Sequence, residues 1–175
     1  MQIGGVLAAM ALLISAGCSS GPSSTANTQS NPAKDQADIK ALEDRFMAAF
    51  KARDVNAIMA CYVPDQSLIV FDAVPPRQYT GAQAYRKDFE DLFAMFPGPM
   101  DATISELDIT AGGGDIAYAH SIQHASFTDK AGKKFEMTIR VTDGYKKVNG
   151  QWLISHEHAS VPVDLATMKP DLDSK

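Results

Sequence analysis

Residues 140–164 read RVTDGYKKVNGQWLISHEHASVPVD, and the pair Asn149-Gly150 at its centre decides how the chain is laid out. Asn-Gly flanked by alternating apolar residues marks a two-residue hairpin turn, because both turn positions need positive φ. Val141, Asp143 and Tyr145 alternate with polar neighbours on one side; Trp152, Ile154, His156 and His158 do so on the other. Two antiparallel strands are expected, with Val148 opposite Gln151, Tyr145 opposite Ile154, Asp143 opposite His156 and Val141 opposite His158.

Working outward, the same period of two runs through DATISELDIT (101–110), DIAYAHSIQHASF (115–127) and KKFEMTIRVTDGYKKV (133–148). Gly112-Gly113-Gly114 and Asp129-Lys130-Ala131-Gly132 separate these runs as turns. A four-residue loop at 129–132 would set Tyr118 opposite Asp143 and His120 opposite Val141. One face would then carry Ile116, Tyr118, His120, Ile122, His124, Phe135, Met137, Ile139, Val141, Asp143, Tyr145, Trp152, Ile154, His156 and His158. That face is mostly apolar, so helices should cover it. A bulge beside Gly150 would shift the last strand by one and bring Glu157 onto this face in place of the histidines.

The helices come first in the chain. Ile39, Leu42, Phe46 and Phe50 recur at helical spacing between charged residues over Asp35–Arg53. Asp54 suits the N-cap of a short helix from Val55 to Tyr62, which Pro64 closes, and SLIVFDA (67–73) reads as a strand. AQAYRKDFEDLFAMF (82–96) is a third helix, with Phe89, Leu92 and Phe93 on one side. Helices followed by hairpin-linked strands predict an α+β domain in which three helices pack on a strongly curved antiparallel sheet.

The 175 residues, with a net charge of −5, suffice for one ordinary domain. No basic block exists, which argues against nucleic acid as a partner. The first 18 residues, MQIGGVLAAMALLISAGC, carry no charged side chain. Their apolar run is short for a membrane span but has the length of a signal-peptide core. Ile14-Ser15-Ala16-Gly17-Cys18 resembles a bacterial lipobox. That resemblance implies a lipidated Cys18, and Ser19 after it implies the outer membrane, facing the periplasm. A plain cleavable signal is the alternative. Residues 19–34 are rich in Ser, Thr, Asn, Gly and Pro and read as a disordered tether. The organisation expected is a leader at 1–18, a tether at 19–34, a domain at 35–166 and a tail at 167–175. Cys61, in the apolar stretch NAIMACY, reads as buried and inert.

RVTDGYKKVNGQWLISHEHASVPVD is similar to the C-terminal hairpin of SnoaL-like, ketosteroid-isomerase-homologue proteins of the nuclear transport factor 2-like superfamily. VFDAVPPRQYTGAQAYRKDFEDLF (70–93) resembles their segment between the first strand and third helix, and DIAYAHSIQH (115–124) fits as well. The resemblance covers about Gln36 to Leu165. It implies a cone, with a pocket at the wide end between helices and sheet. Members include isomerases and polyketide cyclases, in which a pocket carboxylate moves a proton next to a carbonyl. Others only bind ligands or assemble, such as the association domain of calmodulin-dependent kinases, which shares a tryptophan and His-x-His in its last strand. The family commonly buries the outer sheet face in a homodimer. Asp143 lies in the strand that carries an oxyanion-holding acid in ketosteroid isomerases, and Asp72 lies near where their base falls.

The predicted catalytic group is therefore Asp143 with His156 and Tyr118, the phenol or imidazole steadying an enolate. A structural hydrogen-bond row is the competing reading of the same residues. Asp72, Tyr79, His120, His158 and Trp152 are predicted to bind the ligand, a small, largely apolar molecule. His156 and His158 with His120 or Asp143 would be a metal set, but no dense Cys/His motif supports one, and the expectation is no metal. No phosphate loop, nucleophile elbow or dinucleotide fingerprint occurs, so no cofactor is expected either.

Overall fold

The apolar stripe of the first helix does what its spacing predicts: Ile39, Leu42, Phe46, Ala49 and Phe50 are all buried. The computed structural model describes residues 31–112 and 114–173, so the leader, Cys18 and most of the predicted tether lie outside the described residues. α1 runs from Pro32 to Ala52. It takes in three residues that composition assigned to the tether, because Asn31 caps it through Lys34 N and Pro32 stands where a helix needs no N–H. Asp54 caps α2, Val55–Met59, by accepting from Ala57 N at 3.0 Å. β1 (Ile69–Phe71) and β2 (Tyr79–Thr80) lead into α3, Ala82–Met95. No helix among the described residues is long and apolar enough to cross a membrane.

Four long strands follow: β3 (Met100–Ala111), β4 (Ile116–Thr128), β5 (Lys134–Val148) and β6 (Gln151–Ser160). The sheet order is β2-β1-β6-β5-β4-β3. One pair departs from the antiparallel expectation, since β1 runs parallel to β6. The sheet is therefore mixed, as the chain must cross over the helices to bring β6 beside β1. A short hairpin of β7 (Val163–Asp164) and β8 (Lys169–Pro170) ends the described chain, and Leu172 O in the predicted tail accepts from Thr138 N at 2.8 Å.

Two local features set which residues face the helices. The β4–β5 loop has five residues, not four, with Thr128 opposite Lys134. The Asp129 carboxylate holds that loop by accepting from Ala131 N and Lys133 N. Tyr118 consequently pairs with Gly144 and His120 with Thr142, while Ala117, Ala119 and Ser121 turn to the covered face. At the β5–β6 turn Asn149 (φ 51°) and Gly150 (φ 81°) adopt the expected conformation, and Tyr145 lies opposite Ile154. Beyond that, Ser155 is an extra residue, and its Oγ donates to Gly144 O at 3.0 Å. The bulge moves the rest of β6 by one, so Asp143 faces Glu157 and Gly144 faces His156.

The core lies between the helices and this concave face. Phe46, Phe50, Tyr62, Tyr85 and Phe89 form a chain of ring contacts, from 4.8 Å between Tyr85 and Phe89 to 6.4 Å between Phe50 and Phe89. Truncating one such ring costs about 3–5 kcal/mol.

Candidate functional site

The bulge places Glu157 in the core, 8% exposed, where two phenols meet its carboxyl. Tyr62, just after α2, donates to Oε2 at 2.6 Å, and Tyr85, in the first turn of α3, donates to Oε1 at 2.6 Å. Opposite it on β5, Asp143 is 4% exposed, and its Oδ1 has no hydrogen-bond partner among the described residues. Tyr145, two residues on and so on the same face, donates to Glu43 Oε1 at 2.7 Å. Glu43 is itself buried, because it falls within the apolar stripe of α1.

No lysine, arginine or histidine is ion-paired with Glu43, Asp143 or Glu157 among the described residues. Burial pushes the Asp143 carboxyl well above the usual carboxylate range, and the nearby Glu157 and Glu43 push it further. Burial raises Glu157 to about 7; the two phenols hold it down, and Asp72 and Glu43 hold it up. Glu43 is raised by burial and lowered by the Tyr145 hydroxyl. Burial also drives Tyr62, Tyr85 and Tyr145 upward, so all three remain protonated donors. Three close carboxyls without a cation cannot all ionise, so a neutral acid stands beside a carboxylate near neutral pH.

A second acidic group adjoins the first. Asp72, just after β1, accepts from Val74 N at 3.2 Å, and the Tyr85 hydroxyl also interacts with its carboxyl. Tyr79 donates to Asp88 Oδ1 at 2.6 Å. Both aspartates are half-buried and raised, in each case chiefly by burial.

Glu43 also lines a groove of about 360 Å³ between α1 and β3. Its apolar lining is Met47, Ala102, Ile104 and Leu107, where β3 has its own bulge between Ser105 and Asp108. The lysines at its edge are neutralised, Lys40 by Asp44 at 2.7 Å and Lys51 by Asp101 at 2.9 Å. A larger hollow of about 430 Å³, on the Asp38 and Arg45 side of α1, contains none of the three carboxyls. Of these two hollows, the groove is the one that an acid of the cluster lines.

The sequence profile of the SnoaL-like domain family matches residues 39–164. This chain belongs to the SnoaL-like family. An NTF2-like protein of unknown function from Pseudomonas putida KT2440 is 33% identical, with 82% of this chain and 97% of that one covered and a TM-score of 0.73. A scytalone dehydratase candidate from Novosphingobium aromaticivorans is 20% identical over 73% of this chain and 83% of its own, with a TM-score of 0.65. A ketosteroid isomerase-like protein from Erwinia carotovora atroseptica is 21% identical over 71% and 93%, with a TM-score of 0.60. The last two show the fold. Among curated proteins nothing matches.

Within the SnoaL-like domain the predicted site residues separate. Asp143 lies in the buried cluster and Asp72 adjoins it, as does Tyr79 through Asp88. Tyr118 does not join them: it is 52% exposed on the outer face. His120 is exposed there too, because the five-residue loop turned this part of β4 over. His156 and His158 are likewise on the outer face, edge-on to Phe71 with ring centroids at 5.1 and 5.7 Å. His156 Nδ1 lies 2.9 Å from Ile69 O, so the expected Asp143–His156 pair does not form. Trp152 is on the covered face, but its Nε1 donates to Asp35 at 3.1 Å beside Lys147, in a separate polar knot. Among the described residues no group of three or more His, Cys, Asp or Glu is arranged to hold a metal ion.

Sequence reasoning missed Glu43, Tyr62 and Tyr85, and admitted Glu157 only through a bulge. Glu43 carried a signal, a carboxyl one position after Leu42 inside a stripe that must be buried. Tyr85 sits four residues before Phe89, on the same helix face.

Proposed function

We propose that this SnoaL-like domain binds a small, largely apolar molecule and moves a proton next to a carbonyl in it, as a cofactor-independent isomerase, cyclase or dehydratase. One observation carries the reading: Glu43, Asp143 and Glu157 are buried together, with no ion-paired cation among the described residues. In such a cluster a carboxylate can take a proton from carbon while a neutral carboxyl or phenol donates to the enolate oxygen. The groove lined by Glu43 supplies an apolar seat of ligand size. The reading extends to this chain the kind of chemistry in the names of its isomerase-like and dehydratase-candidate neighbours.

The experiment is deuterium wash-in from D2O at the carbon next to the carbonyl in a panel of cyclic ketones and enones, followed by NMR. Wild type should accelerate exchange for a member that binds, and Asp143→Asn should lose about 100-fold or more. Binding without acceleration, equal in wild type and Asp143→Asn, would instead support a non-catalytic ligand-binding module. That second reading has its own support, because phenol hydroxyls already occupy both oxygens of Glu157.

We propose further that a lipid on Cys18 tethers the domain to the bacterial outer membrane. The uncharged apolar leader, the small residues before Cys18 and the Ser- and Pro-rich stretch that follows support this.

A further inference from the structure

Glu157 is buried, at 8% exposed, yet it is not sealed from the surface. Its neighbours come from every element around it: Tyr62 after α2, Tyr85 from α3, Asp143 and Tyr145 from β5, Glu43 from α1 and Asp72 after β1. Of these, Tyr85 alone interacts with both Glu157 and the half-buried Asp72. Asp72 in turn lies beside Asp88, whose carboxyl accepts from the half-buried Tyr79. A row of acids and phenols thus runs from the core to the α3 side of the domain, away from the groove between α1 and β3. Tyr62, by contrast, reaches Glu157 from the other oxygen, and the acids that act on it, Glu157 and Asp143, are both buried.

We propose that Tyr85 is a proton relay between Glu157 in the core and Asp72 at the surface, so that the buried site exchanges protons with solvent on the α3 side while ligand occupies the groove. The relay takes its purpose from the proton-transfer reading above. In the step itself, Tyr85 turns its hydroxyl about the C–O bond toward Asp72. Neutral Glu157 then gives its proton to the Tyr85 oxygen as Tyr85 gives its own to the Asp72 carboxylate. One O–H bond breaks and one forms at Tyr85, and the net change is a single proton moved from Glu157 to Asp72. No electron transfer and no co-reactant are required. Glu157 and Tyr85 are then positioning and relay groups, and Glu43, which lines the groove, is the acid nearer the ligand.

The test needs no substrate. The protein is labelled with 13C at its Asp and Glu side-chain carboxyls, and the Glu157 resonance, assigned by its loss in Glu157→Gln, is followed through its titration. Line shape at the midpoint reports the rate at which the carboxyl trades protons with water. Tyr85→Phe keeps the ring and removes the hydroxyl; Tyr62→Phe makes the same change on the other oxygen. Both should raise the midpoint, since each removes a hydrogen bond to the ionised form. Only Tyr85→Phe should slow exchange, by tenfold or more. Asp72→Asn should lower the midpoint and slow exchange as well, and it serves as the relay variant should Tyr85→Phe not fold. Equal exchange rates in the Tyr85 and Tyr62 variants, or unchanged exchange in Asp72→Asn, would overturn the relay. A wild type with no deuterium wash-in would remove the proton-transfer reading, while these line shapes still decide the relay.

Discussion

Asp143 and Glu157 stand directly opposite each other in the β5–β6 pair, both on the covered face of the sheet. Tyrosine hydroxyls hold Glu157 in place, whereas Asp143 Oδ1 is left without a partner. Two carboxyls in that relation destabilise the fold whenever both are charged. Such an arrangement is costly to keep in a core that could have been apolar, and costs of this kind concentrate at functional sites.

Stability should fall as pH rises above about 5. The unfolded chain ionises Glu157 and Asp143 near ordinary carboxylate values, whereas the folded chain keeps their protons to higher pH. The folded state therefore binds more protons in that window, and its advantage shrinks as pH climbs through it, by roughly 3 kcal/mol for Glu157 alone. Asp35 works in the opposite sense, since its hydrogen bond from Lys147 holds it low and that contribution is lost on acidification. Urea unfolding midpoints should peak near pH 5, and Glu157→Gln should flatten the alkaline slope. A wild-type midpoint that climbs steadily from pH 5 to 8 would contradict the assignment.

Asp143→Asn should stabilise the domain at pH 8 by about 1–3 kcal/mol, because it removes a buried charge without changing shape. At about pH 3, where the aspartate holds its proton in the folded and unfolded chains alike, the two proteins should differ by less than about 0.5 kcal/mol. Thermal melts at both pH values check this. Equal or lower stability at pH 8 would mean that Asp143 has a compensating partner.

Removing the histidines should leave the site untouched. His156→Ala loses the bond to Ile69 O and the edge contact with Phe71, worth about 1 kcal/mol. His158→Ala loses only its contact with Phe71 and should cost less. Neither should change ligand affinity or wash-in, measured by fluorescence titration and NMR. A tenfold loss of either would return the histidines to the site.

The outer face carries exposed Ile116 at 68%, Tyr118 at 52% and Phe71 at 37%. Our proposal is that a second copy covers this face, as apolar surface of this kind favours association. Sedimentation of the domain from Asn31 onward should report a dimer, and Tyr118→Lys should weaken it at least tenfold. A protein that stays monomeric at high concentration would refute the proposal.

Lipidation is tested in the bacterial cell. Labelling with a tagged fatty acid should mark wild type and spare Cys18→Ser, which should also appear in the soluble fraction. Equal labelling of both would remove the lipid anchor.

The amino-acid sequence by itself determined the elements and the fold. Apolar residues at helical spacing through Phe46 and Phe50, alternation from Met100 to Ser160, and turn residues such as Asn149-Gly150 are local signals, and burial then leaves one way to stack helices on the sheet. Asp143 was legible as a covered-face residue for the same reason, since its strand keeps one period up to a turn whose length is set by two residues. The other partners were not legible. A period of two says which side chains share a face within a strand, but a one-residue change between strands exchanges the faces completely. The Asp129 carboxylate added one residue to the β4–β5 loop, and Ser155 added one inside β6. Those two insertions sent Tyr118, His120, His156 and His158 outward and Glu157 inward. Only packing against α1, α3 and the turn after α2 then brought Glu43, Tyr85 and Tyr62, from three distant parts of the chain, within hydrogen-bond reach of that buried row.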